Sequence, residues 1–148
     1  NEEEDFYSQF KEMDYNDNNL ISLAEIDKLI LERYPKYDHK PALIRAYYAA
    51  DKNNTGLITF DEFKDLWKYI RFYNQMWEKF AKYDVDKDRR INLDEFTSMS
   101  SELFNTQLDY REAKFYFNLI DANNGGLILF KEFCTFMIRR KIALENDV

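Results

Sequence analysis

The segment DKNNTGLITFDE, Asp51–Glu62, decides the fold of this chain of 148 residues. It begins with Asp, has Ile at its eighth position and ends with Glu at its twelfth. The same frame occurs three more times, which predicts one structural unit repeated four times. The other copies are DYNDNNLISLAE (Asp14–Glu25), DVDKDRRINLDE (Asp84–Glu95) and DANNGGLILFKE (Asp121–Glu132). We number the four segments loops one to four in chain order, so that Asp51–Glu62 is loop two.

The spacing of oxygen-bearing residues within each loop predicts a Ca²⁺ site. A loop of twelve residues folded around a hard cation offers oxygens from positions 1, 3, 5, 7, 9 and 12, with a backbone carbonyl at position 7 and both carboxylate oxygens at position 12. In loop one these are Asp14, Asn16, Asn18, the Leu20 carbonyl, Ser22 through a water, and Glu25. In loop two they are Asp51, Asn53, Thr55, the Leu57 carbonyl, Thr59 and Glu62. In loop three they are Asp84, Asp86, Asp88, the Arg90 carbonyl, Asn92 and Glu95. Loop four supplies Asp121, Asn123, the Leu127 carbonyl and Glu132.

Polar loops of this composition have a second interpretation. Asp, Asn and Gly also mark ordinary surface turns, so one such segment alone would be weak support for a metal site. Four segments in the same register argue strongly against that interpretation for the set. For each loop, one alternative stays open: the segment has kept the shape of a Ca²⁺ site but has lost the ability to bind the metal.

The four loops are not equivalent. Loop two has Gly56 at position 6, where the chain turns sharply, and loop one has Asn19, which tolerates a left-handed backbone. Loop three has Arg89 there, and a left-handed conformation costs an ordinary residue roughly 1–2 kcal/mol. In loop four, Gly125 at position 5 offers no side-chain oxygen and Leu129 at position 9 cannot hold a water. We expect up to four Ca²⁺ ions, with three loops better suited and the weakest or an empty site in loop four.

The apolar residues predict how the loops are arranged. Each loop has Ile at position 8, where a β-branched residue suits a short strand through which two loops can pair. Position 10 alternates between Leu and Phe along the chain, which favours pairing of the first loop with the second and of the third with the fourth. Apolar residues on both sides of each loop recur at spacings of three and four, which predicts eight short helices.

These patterns predict an all-α fold of four helix–loop–helix units with short β-pairing between loops. The units form two lobes, residues 1–70 and 71–148. Between Phe63 and Tyr83 the sequence is rich in aromatic residues and has neither Gly nor Pro. Such a stretch is too apolar for a solvated linker, so we expect a compact arrangement in which the lobes pack against each other or against a partner. The alternative is that these aromatics fill the cores of the two lobes.

The four loops with their apolar flanks resemble the calmodulin-like EF-hand superfamily, over nearly the whole chain. Within it, the stretch EFKDLWKYIRFYNQMWEKFAKYDVDKDRRINLDEF (Glu62–Phe96) resembles the flagellar calcium-binding proteins called calflagins. That second resemblance implies a cilium or flagellum as a location, and a family in which acylated N-termini are common. This sequence begins at Asn1 without Met-Gly, so an anchor is either absent or lies outside these residues.

Composition excludes several classes of function. The net charge of −7 argues against nucleic acid as a partner, and the sequence has no apolar run of about 20 residues that would predict a transmembrane segment. One His, one Cys and three Gly leave no phosphate-binding glycine loop and no nucleophile with a His partner, so we expect no enzyme. Cys134, on an apolar helix, is expected to be a buried reduced thiol, which is typical of a cytoplasmic protein.

Three roles remain open for a protein that binds Ca²⁺. We expect a calcium sensor or calcium-responsive subunit that binds a helical segment of a protein target through apolar and aromatic surfaces. The mostly sparse acidic ligand sets argue against the tightest buffers, and the aromatic content of 18% supplies apolar contact area. The alternatives are a structural subunit of a larger, ciliary or flagellar assembly that holds its target constitutively, and a calcium buffer.

Overall fold

The computed structural model describes residues 2–13, 20–121 and 124–146. Its helices are α1 (Glu2–Met13), α2 (Leu23–Arg33), α3 (Lys40–Ala50), α4 (Phe60–Tyr83), α5 (Leu93–Phe104), α6 (Tyr110–Ile120) and α7 (Phe130–Asn146). Its strands are β1 (Leu20–Ser22), β2 (Leu57–Thr59), β3 (Arg90–Ile91) and β4 (Ile128–Leu129). The prediction of an all-α fold with short β-pairing is confirmed.

Short antiparallel strands join the loops in pairs. Strand β1 pairs with β2, and Ile21 lies opposite Ile58. Strand β3 pairs with β4, and Ile91 lies opposite Ile128. All four Ile side chains are completely buried, so a β-branched residue at position 8 serves both the strand and the core. The predicted pairing of the first loop with the second and of the third with the fourth is confirmed.

Helix α4 differs from the sequence-based expectation. We predicted separate helices after loop two and before loop three, but the structure has one helix of 24 residues, Phe60–Tyr83. The prediction of eight helices is therefore wrong, and the described residues form seven α-helices and one short 3₁₀ helix, Pro35–Tyr37. The physical reason is that no Gly or Pro interrupts the stretch, so nothing stops the backbone hydrogen bonds of the first helix from continuing into the second.

The chain divides into two units, Asn1–Trp77 and Glu78–Val148. We call them unit one, which contains loops one and two, and unit two, which contains loops three and four. The predicted lobes 1–70 and 71–148, and their compact arrangement, stay predictions.

Aromatic side chains build the core of unit one. The rings of Phe6 and Phe63 stack with centroids 4.5 Å apart and an interplanar angle of 1°. Phe10 meets Phe63 edge to face at 5.2 Å, and Trp67 lies 4.8 Å from Phe6. Phe6, Phe10, Phe63 and Trp67 are all at most 2% exposed. Helix α1 is thereby held against the first half of α4.

Unit two has its own core around Phe80, from the last turns of α4. Its ring lies 5.4 Å from Phe130 and 5.6 Å from Phe133, both of which begin α7. Cys134 beside them is completely buried, as predicted. Aromatics from the stretch between loops two and three thus occupy the cores of both units, as one of the two sequence-based interpretations expected.

Helix α6 begins at a capping box formed by Asp109 and Glu112. Asp109 accepts the Glu112 N–H at 2.8 Å, and the Glu112 carboxylate accepts the Asp109 N–H at 3.3 Å.

None of the helices in the described part of the chain combines the length and the apolar character needed to cross a membrane.

Candidate metal centres

Buried carboxylates at position 1 organise loops two, three and four. Asp51, Asp84 and Asp121 directly follow α3, α4 and α6, and are 3%, 3% and 4% exposed. Each accepts a hydrogen bond from the backbone N–H at position 6, which folds the loop back on its first residue. The donors are Gly56 at 2.8 Å, Arg89 at 2.8 Å and Gly126 at 2.7 Å.

All four position 12 carboxylates close their loops at the other end. Each accepts the backbone N–H at position 9, from Ser22 at 3.1 Å, Thr59 at 2.9 Å, Asn92 at 2.9 Å and Leu129 at 2.9 Å. In the first three loops the position 9 side chain reciprocates by accepting the N–H of the Glu, so predicted ligands also cap the next helix. The side chain of Leu129 cannot do this. Loop four therefore has only the hydrogen bond from the position 9 N–H to the Glu, without the reciprocal bond, and has no side-chain oxygen at position 9.

Two of these carboxylates also connect the start of the loop to the following helix. The second oxygen of Glu62 accepts the Lys52 N–H at 3.0 Å. The second oxygen of Glu95 accepts the Val85 N–H at 2.8 Å. Lys52 and Val85 are the second residues of loops two and three. A single side chain thus links the end of one helix to the beginning of the next.

Loop three concentrates negative charge. Carboxylate oxygens of Asp84, Asp86 and Asp88 lie within 4.8 Å of one another. Asp84 Oδ1 is buried and has no hydrogen-bond partner among the described residues. Burial raises the pKa of Asp84, and the neighbouring Asp88 raises it further, whereas the Arg89 N–H acts in the opposite direction. A buried anionic oxygen without a partner is costly unless a cation or hydrogen bond compensates it, so this donor set fits a hard cation.

Loop two has fewer charges and a more regular backbone. Thr55 donates its hydroxyl to the Leu57 carbonyl at 3.0 Å, which places the oxygens of positions 5 and 7 side by side. The Thr55 N–H and hydroxyl also approach Asp51 Oδ1 at 3.2 and 3.4 Å. Gly56 has φ +79°, a left-handed conformation that costs glycine nothing. The oxygens of this loop also fit a hard cation.

The left-handed residue predicted in loop three is present. Arg89 has φ +62°, and Lys87 two residues before it has φ +58°. The Arg89 strain was predicted from its position in the repeat. The left-handed backbone of Lys87 is not predicted by the sequence, because Lys has no preference for that conformation. At the equivalent positions of loops two and four, Asn54 and Asn124 have φ +54° and +57°, and Asn is a residue type that tolerates this conformation.

Part of the predicted ligand set lies outside the described residues. Asp14, Asn16 and Asn18 of loop one and Asn123 of loop four are in this group. Of the remaining loop one ligands, Ser22 and Glu25 are hydrogen-bonded to each other, and Leu20 pairs with Thr59 in the strand. In loop four, Asp121 and Glu132 occupy the same backbone positions as their counterparts in loops two and three. The assignment of individual ligands stays a prediction.

Comparisons with known proteins agree with this geometry. Residues 73–138 match the family described as an EF-hand domain pair. Calmodulin-like protein 2 of Arabidopsis thaliana is 31% identical over 93 residues, which covers 61% of this chain and 61% of that protein. The flagellar calcium-binding protein TB-17 of Trypanosoma brucei brucei is 25% identical over 152 residues, which covers 93% of this chain and 64% of that protein. The chain thus spans just over three fifths of the length of these curated relatives.

A solved structure shows the same fold. It is a homolog of programmed cell death 6 protein from Leishmania major, with a TM-score of 0.50, 23% sequence identity, and coverage of 90% of this chain and 74% of that one. Loops paired through short strands define the class of helix–loop–helix cation-binding proteins. Within that class, residues 73–138 match the EF-hand domain pair, and the chain as a whole is similar to calmodulin-like EF-hand proteins.

The strain at Arg89 yields a test with a matched control in the adjacent residue. Replacing Arg89 by Gly removes the left-handed penalty, and should raise the free energy of unfolding of unit two by roughly 1 kcal/mol. Replacing Arg90 by Gly removes the same charge from strand β3, and should lower that free energy by roughly 0.5–1 kcal/mol. Urea unfolding in chelator, followed by circular dichroism, measures both. Equal effects of the two substitutions would show that charge, not backbone strain, governs this loop.

Proposed function

We propose that this protein is a calcium-responsive subunit that binds Ca²⁺ in its loops and a protein target through its apolar surface. The observation that carries the proposal is the buried, unpartnered oxygen of Asp84 beside the carboxylates of Asp86 and Asp88. An ordinary polar turn has no reason to bury such a group. Three carboxylates that converge on one point and repel each other favour a divalent cation.

Loops two and three are the sites that we expect to hold Ca²⁺ best. Loop three supplies four acidic ligand residues, so it offers the strongest attraction, which Arg89 partly offsets through strain. Loop two supplies two acidic ligands on an unstrained backbone. Loop four keeps Asp121 and Glu132 but has no side-chain oxygen at positions 5 and 9, so we propose the weakest site there. When bound, the ion neutralises the carboxylates that the fold has buried.

Calcium binding can be transmitted to the helices through the position 12 carboxylate. Glu95 lies in the first turn of α5 and bonds the Val85 N–H, just after the end of α4. Drawing Glu95 toward the cluster of Asp84, Asp86 and Asp88 therefore moves the start of α5 relative to the end of α4. Glu62 makes the same connection between α3 and α4 through Lys52. This coupling is what a sensor needs and a passive buffer does not.

Exposed apolar side chains favour a protein target over simple buffering. Phe115 and Leu119 on α6 are 64% and 62% exposed, and Tyr48 on α3 is 60% exposed. Single exposed apolar residues are normal, but neighbouring large ones mark interaction surfaces. A buffer gains nothing from these residues.

The relatives named as flagellar calcium-binding proteins support a location in a cilium or flagellum. The likeness to TB-17 extends over 93% of this chain, so it is not confined to the loops. In that setting the chain can serve as a subunit of a larger assembly.

Removing the position 12 carboxylates tests the ranking of the loops. Glu95→Gln keeps the shape of the side chain and removes its charge, so it should abolish one high-affinity step in a calorimetric Ca²⁺ titration, as should Glu62→Gln. Glu132→Gln should leave every high-affinity step in place, because loop four binds most weakly. Asp94→Asn is the control, since Asp94 is exposed, adjacent to Glu95 and no predicted ligand. A full binding step lost in Glu132→Gln would overturn the ranking.

Calcium-dependent exposure of apolar surface separates a sensor from the other two roles. We expect the protein to be retained on a phenyl-substituted resin with Ca²⁺ and released by chelator, because opening of the helix pairs exposes their apolar faces. The Glu95→Gln variant should be retained less, whereas Asp94→Asn should behave like the parent. Retention in both conditions would favour a constitutive structural subunit. Retention in neither would favour a buffer, and either result would contradict the sensor role.

A further inference from the structure

Unit two carries an apolar groove between α6 and α7, which we call the α6–α7 groove. This open groove has a volume of about 750 Å³. Its apolar walls come from Tyr116 and Leu119 on α6, Leu129 on β4 and Phe136 on α7. A groove of this volume suits a cluster of large side chains from a partner rather than a single ion.

The apolar surface continues from the groove along α6. Phe115 lies four residues before Leu119 on the same face of the helix, and both are mostly exposed. The Phe115 ring lies 5.3 Å from that of Tyr116, which in turn lies 4.7 Å from Phe104 on α5. The groove and this stripe together form one aromatic surface. Its extension along a helix axis suits a partner that is itself elongated, such as an amphipathic helix.

The rim of the groove is basic although the protein is acidic. The groove is lined by three basic residues, Lys131, Arg139 and Arg140, although the net charge of the chain is −7. The acidic residue among the described lining residues is Glu132, whose carboxylate accepts the Leu129 N–H at 2.9 Å within loop four. The rim therefore presents a local excess of positive charge. Such an excess beside an apolar floor attracts an anionic partner.

One rim cation is held in place by an aromatic ring. The Arg140 guanidinium lies 4.5 Å from the centroid of the Phe104 ring. A stacked guanidinium has lost much of its freedom before binding, and its planar set of donors matches a carboxylate in two parallel hydrogen bonds. Arg139 beside it is exposed, so it is available to a second acidic group.

We propose that the α6–α7 groove binds an amphipathic helix that carries acidic residues beside its apolar face. This inference rests on the proposed function and specifies the chemistry of the target. A basic amphipathic helix is the pattern usual for calmodulin targets, and the basic rim disfavours it here. A single helix contacts only the groove, whereas an anionic membrane presents its charge over a wider area to a protein of net charge −7, so charge favours the helix.

A pair of labelled peptides tests whether the groove prefers an acidic or a basic amphipathic helix. Both are helical, about 16 residues long, with the same Leu and Phe residues on one face, and differ in having Glu or Lys on the polar face. Fluorescence anisotropy with the full chain, in Ca²⁺ and in chelator, gives their affinities. In the condition in which binding is tighter, we expect the Glu peptide to bind at least about tenfold more tightly than the Lys peptide. Equal binding, or tighter binding of the Lys peptide, would overturn the proposal.

Charge reversal at Arg139 tests whether the preference for the Glu peptide arises in the α6–α7 groove. Arg139→Glu should weaken the Glu peptide about tenfold and strengthen the Lys peptide, and Arg139→Gln should give an intermediate loss. The control is Lys68→Glu, which makes the same charge change at an exposed position of α4 in unit one, and should alter neither affinity by more than about twofold. Circular dichroism checks that each variant is folded. Equal effects of Arg139→Glu and Lys68→Glu would indicate general attraction and contradict a site in the groove.

Other occupants give different results. Binding to vesicles containing phosphatidylserine that Arg139→Glu abolishes, with no binding of either peptide, would replace the helix by a membrane. Self-association that Arg139→Glu abolishes, measured by sedimentation without peptide, would assign the groove to a second copy of the chain. If neither peptide binds while the Ca²⁺ titration keeps its high-affinity steps, the groove proposal fails and calcium binding stands.

Discussion

The fold of loops two, three and four depends, in each, on one carboxylate that is buried at the end of a helix. Asp51, Asp84 and Asp121 have lost nearly all contact with water, so each negative charge must be compensated from within the loop. The backbone N–H of position 6 is the donor that all three use, which obliges the chain to turn back sharply. That turn requires a left-handed residue at position 6 and brings the following oxygens around a common centre. The local structure and the cation site are thus consequences of the same buried charge.

The carboxylate at position 12 extends this constraint to the helices. Glu62 and Glu95 each lie in the first turn of a helix, yet each also bonds the second residue of its loop. The same atoms that we propose as ligands therefore determine where α4 and α5 begin. The proposed ligands and the starts of these two helices are thus linked through the same carboxylates. The short strands then connect each loop to its partner, so two sites in one unit share a backbone link.

Much of this arrangement could be predicted from the sequence, because the repeat gives chemistry and geometry together. Ile at position 8 predicted the strands and their pairing, and the placement of Arg89 in the repeat predicted its left-handed backbone. The spacing of apolar residues indicates each helix but does not indicate whether two neighbouring helices join, so it does not predict the continuous helix α4. The absence of Gly and Pro between Phe63 and Tyr83 is the sequence feature that permits the two helices to join. The α6–α7 groove could not be predicted, because Phe104, Tyr116 and Arg140 are far apart in the sequence and their contacts form only on folding.

The central claim is that loops with the same backbone frame bind Ca²⁺ with affinities set by their oxygen ligands. NMR of the chain with ¹⁵N-labelled glycine amides tests this claim most directly. The chain has three glycines, and the Gly56 and Gly126 N–H groups donate to the buried carboxylates of loops two and four. During a Ca²⁺ titration, the Gly56 signal should shift at a lower ion concentration than the Gly126 signal. A Gly126 signal that shifts first, or together with Gly56, would contradict the account.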